Sequence, residues 1–328
     1  MTELQWNRRQ VLGFGAAAIA FTALRLPAAA ATPMTITIAT GGKGGVFYPY
    51  GEGLAAILSQ SRPGLKASAE ITGGSVDNAR LLQSGKAQLG FTTIDSAFDA
   101  IQGTGAFAKD GKQDIRILAL LYDSYLHVVA SDASGVTGIA GLKDKRVSIG
   151  SAGSSTEAIA DRVLEAAGLD PKTDVQRSNL GVAESAAALK DGKIDAFFWI
   201  GGMPTAADAE LAKGGHPPIV FLPTRDEQIA IDKQFPGLYV PLTLPKTAYA
   251  GMTTDTPCLG VANALIVSGK AEDSLVETLL TAIFDNLDAI HKIHPEAARL
   301  TLATAAGPSA VPFHPAALAF YKAKGAMK

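Results

Sequence analysis

TITIATGGKGGVFYPYGEGLA (Thr35–Ala55) reads as a strand, a glycine-rich turn and the opening of a helix. Thr and Ile alternate over Thr35–Ala39 with the two-residue period of a half-buried strand. Four glycines between Gly41 and Gly45 break the run, and helical spacing follows around Tyr50–Ser59. The unit then recurs. KASAEI (Lys66–Ile71) leads to a helix around Val76–Gln83, and QLGFTT (Gln88–Thr93) follows. A second set runs KRVSIG (Lys145–Gly150), a helix around Thr156–Ala167, VQRSN (Val175–Asn179), a helix around Val182–Lys190, AFFWI (Ala196–Ile200), a helix around Thr205–Lys213 and PIVFL (Pro218–Leu222). Alternation of this kind predicts an α/β protein with mostly parallel sheets and flanking helices.

Two β-rich runs between the sets, RILALLY (Arg116–Tyr122) and LHVVAS (Leu126–Ser131), are so close that one is expected to cross between lobes. Phe235–Pro257, rich in Pro, Gly and Thr, reads as the return crossing. A buried strand, LGVANALIV (Leu259–Val267), and helices over Ala271–Leu287, Pro295–Leu302 and Pro315–Lys324 complete the pattern. The predicted organisation is lobe I at 32–124 and 245–328, lobe II at 125–244, and a ligand cleft between them.

The chain has 328 residues, 47% of them hydrophobic and 18% charged, which excludes a disordered or coiled-coil protein. Twenty-nine basic and 31 acidic residues leave a net charge of -2, so no broad cationic face awaits a nucleic acid. Cys258 is alone and can form no disulfide within the chain. Residues 1–31 carry Arg8 and Arg9, an apolar stretch over Val11–Leu24 and Ala28–Ala31, the layout of an export signal cut after Ala30 or Ala31. NRRQVL (Asn7–Leu12) resembles a twin-arginine signal, with Sec export as the alternative. A periplasmic, monomeric protein is expected.

Three strand-to-helix turns are rich in Gly, Ser and Thr: ATGGKGG (Ala39–Gly45), ITGGSVDN (Ile71–Asn78) and IGSAGSSTE (Ile149–Glu157). Such turns point backbone N–H groups outward, and the helix dipole favours an anion there. G-x-S-x-G, a P-loop and G-x-G-x-x-G do not occur, so neither a common serine hydrolase nor a nucleotide fold is expected. His216, His294 and His314 precede proline and His127 lies in an apolar run; no metal or other cofactor is expected. Paired acids such as Asp208 and Glu210 read as a solvated helix face, and nothing demands an enzyme.

TGGKGGVFYPYGEGLA (40–55), AEITGGSVDNARLLQSGKAQLGFTTID (69–95), SIGSAGSSTE (148–157), DAFFWIGGMPTAADAELA (195–212) and YAGMTTDTPCLGV (249–261) together resemble the TAXI family of solute receptors, the extracytoplasmic binding proteins of one class of TRAP transporter. The resemblance implies a two-lobed type II periplasmic binding-protein fold, joined by a hinge, that closes on a glutamate-like or 2-oxoglutarate-like carboxylate and delivers it to a membrane permease. On the matching motifs it implies ligand contacts from Gly41, Gly42 and Tyr48 on the first turn, from Gly74, Ser75 and Asn78 on the second, and from Ser151, Gly153, Ser154, Ser155 and Thr156 in lobe II. Ser154–Thr156 can equally cap the helix that follows, and both roles can coexist. Asp95 is expected either to accept from a ligand ammonium or to cap the helix beginning near Ser96. Trp199, ahead of Gly201, either stacks on the ligand or fills the core, and Tyr249 is expected to line the cleft. Lys43 departs from the family's usual small polar residue and suggests a second, distal carboxylate on the ligand. The competing functions are a periplasmic enzyme acting on a small acid and a sensor presenting its ligand to a membrane kinase.

Overall fold

The alternation expected from the sequence begins at β1 (Met34–Ala39), in a computed structural model that describes residue 2 and residues 34–62, 64–215 and 217–327. The expected export signal and His216 lie outside the described residues. From β1 the chain passes through α1 (Phe47–Ser61), β2 (Leu65–Glu70), α2 (Ser75–Gln83), β3 (Leu89–Thr93) and α3 (Ile94–Gln102). β4 (Ile115–Ser131) then leads to β5 (Arg146–Ser148), α4 (Ser155–Ala166), β6 (Gln176–Ser178), α5 (Val182–Lys190), β7 (Ala196–Gly201), α6 (Ala206–Gly214), β8 (Ile219–Phe221) and α7 (Arg225–Asp232). The last third comprises β9 (Val240–Leu244), β10 (Thr256–Ser268), α8 (Asp273–Phe284), α9 (Leu287–Ile290), α10 (Leu302–Ala305) and α11 (Pro315–Ala323). Among the described residues no helix is long and apolar enough to cross a membrane.

The strands form one sheet in the order β2-β1-β3-β10-β4-β7-β5-β6, with β9 alongside β10 and β8 alongside β4. At each end the pairing is parallel, β1 with β2 and β3, and β5 with β6 and β7. At the seam it is antiparallel, because β10 returns between β3 and β4 and β4 in turn pairs β7. RILALLY and LHVVAS, read as two runs, are one strand of 17 residues. Its first part, Ile115–Tyr125, pairs β10, and its second, Tyr125–Ala130, pairs β7. The return crossing holds a strand of its own, β9. The sheet thus has two wings sharing β4.

Side-chain periodicity explains the layering. Ile36 and Ile38 of β1, Leu54 and Leu58 of α1, and Leu89 and Phe91 of β3 are fully or almost fully buried, and α1 stacks Phe47 and Tyr50 on Phe91 of the strand paired with β1. In the second wing Ile159, Val163 and Leu164 of α4 and Ala196 and Phe198 of β7 do the same. α8 and α11 cover the first wing's C-terminal side through Leu279, Leu280, Ile283 and Tyr321.

His127, expected to be a hydrogen-bonded core residue, is fully buried beneath the second wing. Its Nδ1 lies 2.9 Å from the Tyr125 carbonyl, which can only accept, so Nδ1 carries the proton and Nε2 is the acceptor. The Tyr249 hydroxyl, 2.9 Å from Nε2, donates to it and accepts from Thr205 N–H at 2.9 Å. Tyr249 therefore closes a core network instead of lining a cleft. Burial holds the His127 pKa down at about 4, below the ordinary 6.5. An imidazole depressed in this way contributes stability that is fully present above pH 6.5 and is lost as the pH falls through about 4. Its loss amounts to on the order of 3 kcal/mol. Urea titrations between pH 7 and pH 4 are expected to show His127→Phe losing less stability than the wild type by about this amount.

Candidate functional site

A cavity of about 310 Å³ lies between the two wings, where the three glycine-rich turns meet. Gly41–Gly45 and Gly73–Ser75 reach it from the first wing, Ser151 and Ser154–Thr156 from the second. The turns also touch one another. Ser75 Oγ donates to Ser155 Oγ at 3.2 Å, and Asp77 N–H donates to the Gly153 carbonyl at 3.1 Å. These contacts bridge the wings beside the cavity, which stays partly open at Ile71 and Lys43.

Glycine is required where the first turn meets the other wing. A Cβ on Gly45 would lie 2.7 Å from the Trp199 ring, and one on Gly44 would lie 3.0 Å from Val182. Trp199 ties its indole N–H to Thr205 Oγ1 at 2.8 Å, so it presents only its ring to the cavity and to Gly45. The half-buried ring packs on protein and lines the space.

At the start of α4, Ser154 is an N-cap. It accepts from Glu157 N–H at 3.2 Å and donates to the Ser151 carbonyl at 2.6 Å, which exhausts its proton. Ser155 and Thr156 are the first two helical residues, whose N–H groups have no partner inside the helix. Their hydroxyls accept, from Ser75 Oγ and from Ile200 N–H respectively, and keep their own protons to donate. Four donors, two N–H and two O–H, therefore converge on the cavity at a helix N-terminus. Lys43 is exposed on the first turn and Glu184 on the first turn of α5; these are the charged side chains of the lining.

Gly42, Lys43, Gly74, Ser75, Ser151, Ser154, Ser155, Thr156, Trp199 and Gly201 are thus brought together on the lining. Four expected residues are not. Tyr48 turns its hydroxyl to Glu52 at 2.7 Å on the exposed side of α1, with Lys43 Nζ 5.8 Å from its ring. Asn78 is fully buried and spent on structure: Nδ2 donates to the Thr40 and Phe91 carbonyls at 2.6 and 2.7 Å, and Oδ1 accepts from the Thr72 hydroxyl. It fixes the first turn to the second. Gly153 has φ +77°, its N–H donates to Glu157, and it backs onto Asp77 outside the cavity.

Asp95 is the fourth. It is fully buried away from the cavity and caps nothing, since it accepts from the Tyr239 hydroxyl at 2.8 Å and pairs with Arg162 at 3.3 Å. Arg162, on α4, also grips Asp99 at 2.5 Å and lies 4.2 Å above the Phe235 ring. Burial opposes the guanidinium charge, but Tyr239, Asp95 and Asp99 outweigh it and hold the pKa above the ordinary value. Burial in turn raises the Asp99 carboxyl, which Arg162 partly offsets. Two acids of the first wing thus hold an arginine of the second.

Sequence reasoning missed Tyr122 and Ser124 of β4 and Gly181–Glu184 at the start of α5, all on the lining. Gly181 opens a fourth strand-to-helix turn after β6, and that signal was present in the sequence. Tyr122 and Ser124 stood out only as hydroxyl residues in an apolar run.

Known structures share this fold. A binding protein component of an ABC phosphonate transporter from Pseudomonas aeruginosa is similar with a TM-score of 0.54 at 10% identity, over 80% of this chain and 79% of that one. A protein from Bordetella bronchiseptica RB50 is similar with a TM-score of 0.52 at 20% identity, over 90% and 89%. An ancestral arginine-binding protein bound to arginine gives 0.49 at 15%, over 81% and 98%. The fold is that of the periplasmic binding proteins, a mixed α/β structure with a central sheet flanked by helices. The sequence profile of the NMT1-like family matches residues 38–325, and the chain belongs to that family.

Arg162→Ala leaves Asp95 and Asp99 buried without their cation, a change that costs about 3 kcal/mol or more. Urea unfolding is expected to show that loss, and Lys43→Ala, on an exposed loop, is expected to stay within about 0.5 kcal/mol of wild type.

Proposed function

We propose that the chain is an exported solute receptor that captures a small carboxylate between two lobes and delivers it to a membrane permease. The observation that carries this reading is the convergence of donor-bearing turns from both wings on one cavity. Backbone N–H and hydroxyl donors at the start of α4 take the carboxylate without an arginine clamp, as an anion nest does. In this reading the wings are the lobes, 34–124 with 245–327 and 125–244, and the hinge consists of β4, β10 and the crossing that holds β9. A ligand that touches Gly42–Gly45 and Ser75 on one side and Ser155, Thr156 and Trp199 on the other stabilises the closed state, and that differential affinity is what a permease reads.

The motif resemblance supports a finer assignment, a TAXI-type receptor of a TRAP transporter acting as a monomer in the periplasm after removal of residues 1–31. The phosphonate transporter's binding component is a relative in fold, so phosphate belongs among the ligands to be tried. No covalent step is proposed.

The test is a titration of the full chain carrying Trp6→Phe, which leaves Trp199 as the sole tryptophan. L-glutamate, 2-oxoglutarate, succinate and inorganic phosphate are each added while emission and thermal midpoint are followed. At 100 times the dissociation constant a ligand adds about 2.7 kcal/mol, a rise of about 4 °C for a chain of this size. A carboxylate that moves both signals supports the receptor reading; silence from all three carboxylates rejects it.

A further inference from the structure

The turn between β6 and α5 brings a carboxylate to the cavity. Gly181, the N-cap of α5, has φ −65°, a backbone angle open to any residue, so its lack of a side chain serves space alone. A Cβ there would overlap Glu184 Oε2 and would lie 3.4 Å from Ser151 Oγ. The Glu184 carboxylate thus folds back over the turn and shares one corner of the cavity with the Ser151 hydroxyl, and all three residues line it. Ser151 opens the turn that ends in the donors of Ser155 and Thr156, so an acceptor stands beside the donor nest, on the same wing. Elsewhere in the fold Asp95 is paired with Arg162, and Glu157 with Arg177 and Asn179. Glu184 has no such partner among the described residues. Lys43, the cation of the lining, holds its Nζ 5.8 Å from the Tyr48 ring instead. As an acid in the first turn of α5, Glu184 also balances the helix dipole, but that role uses none of its lone pairs.

We propose that Glu184 receives an ammonium group of the ligand, beside the carboxylate seat at Ser151, Ser155 and Thr156, so that the cavity selects α-amino acids over the matching oxo acids and diacids. The inference rests on the reading of the start of α4 as that seat. In an α-amino acid the ammonium and the carboxylate stand on neighbouring atoms, and a site for both needs its acceptor next to its donors. The corner at Gly181 supplies that neighbourhood. An oxo group placed there would turn its lone pairs towards those of an ionised carboxylate, whereas an ammonium offers three donors and an opposite charge. Glu184 thereby takes the part that the sequence suggested for Asp95, which is engaged with Arg162 and Tyr239 outside the cavity.

Calorimetric titration of the full chain with L-glutamate, 2-oxoglutarate and glutarate, in wild type and Glu184→Gln, tests the assignment. The three ligands share a five-carbon diacid frame and differ at the carbon that bears the amino group, the oxo group or neither. Wild type is expected to bind L-glutamate most tightly. Glu184→Gln, nearly the same in shape but uncharged, is expected to lose about tenfold towards L-glutamate and to stay within about twofold for the other two, so that the ranking collapses. A carboxylate that serves α5 alone would instead weaken all three alike and lower the thermal midpoint of the ligand-free variant. That pattern, an unchanged ranking in Glu184→Gln, or tighter binding of 2-oxoglutarate than of L-glutamate by wild type overturns the ammonium seat while leaving the receptor reading in place. Failure of wild type to bind any of the three overturns both.

Discussion

The sheet of one wing is joined to the sheet of the other through β4. Its backbone hydrogen-bonds to β10 over Ile115–Tyr125 and to β7 over Tyr125–Ala130, so one strand ties the sheets of both wings together. Backbone bonds of this kind leave rotation and twist as the soft coordinates, because stretching the strand would break the pairing on both sides. The cavity is placed where that rotation brings the turns of one wing onto the turns of the other. Gly44 and Gly45 permit the last few ångströms of approach, and the Arg162 cluster anchors the opposite side.

Much of the first layer of this arrangement was legible in the sequence. Strand-to-helix turns announce themselves because only glycine tolerates the backbone conformations and close approaches they need, and because Ser and Thr at such places cap the helix that follows. That logic located all three turns on the cavity and the donors of Ser155 and Thr156. It failed where the meaning of a residue depends on partners remote in the chain. Asp95 looked like a ligand or a cap because its neighbours in sequence form a helix start, but its partners are Arg162 and Tyr239, 67 and 144 residues away. Asn78 likewise belongs to a glycine-rich motif and is nevertheless consumed by carbonyls of two other segments.

Tyr122 and Ser124 illustrate the converse limit. A strand's two faces are equivalent until its register with its neighbours is known, and nothing within RILALLY states which face meets solvent, core or cavity. Nor does the pattern reveal that the strand continues through Asp123 into LHVVAS, since a polar pair in mid-strand reads as a turn. The assignment of β4 as one element is a tertiary fact, imposed by β10 on one side and β7 on the other.

The position of β10 has a consequence for how the chain is made. It lies between β3 and β4 in the sheet, yet it is synthesised long after both and after the entire second wing. Until residues 256–268 emerge, β3 and β4 have open edges facing each other across a missing strand, and the first wing cannot close its core. Completion of the fold therefore waits for a long-range loop closure that follows synthesis of the second wing, and its rate is governed by that search instead of by the fast local formation of α1–α3. During that interval the unpaired edges of β3 and β4 are the surfaces most exposed to mispairing with other chains, a hazard that ends when the last long strand slides into place.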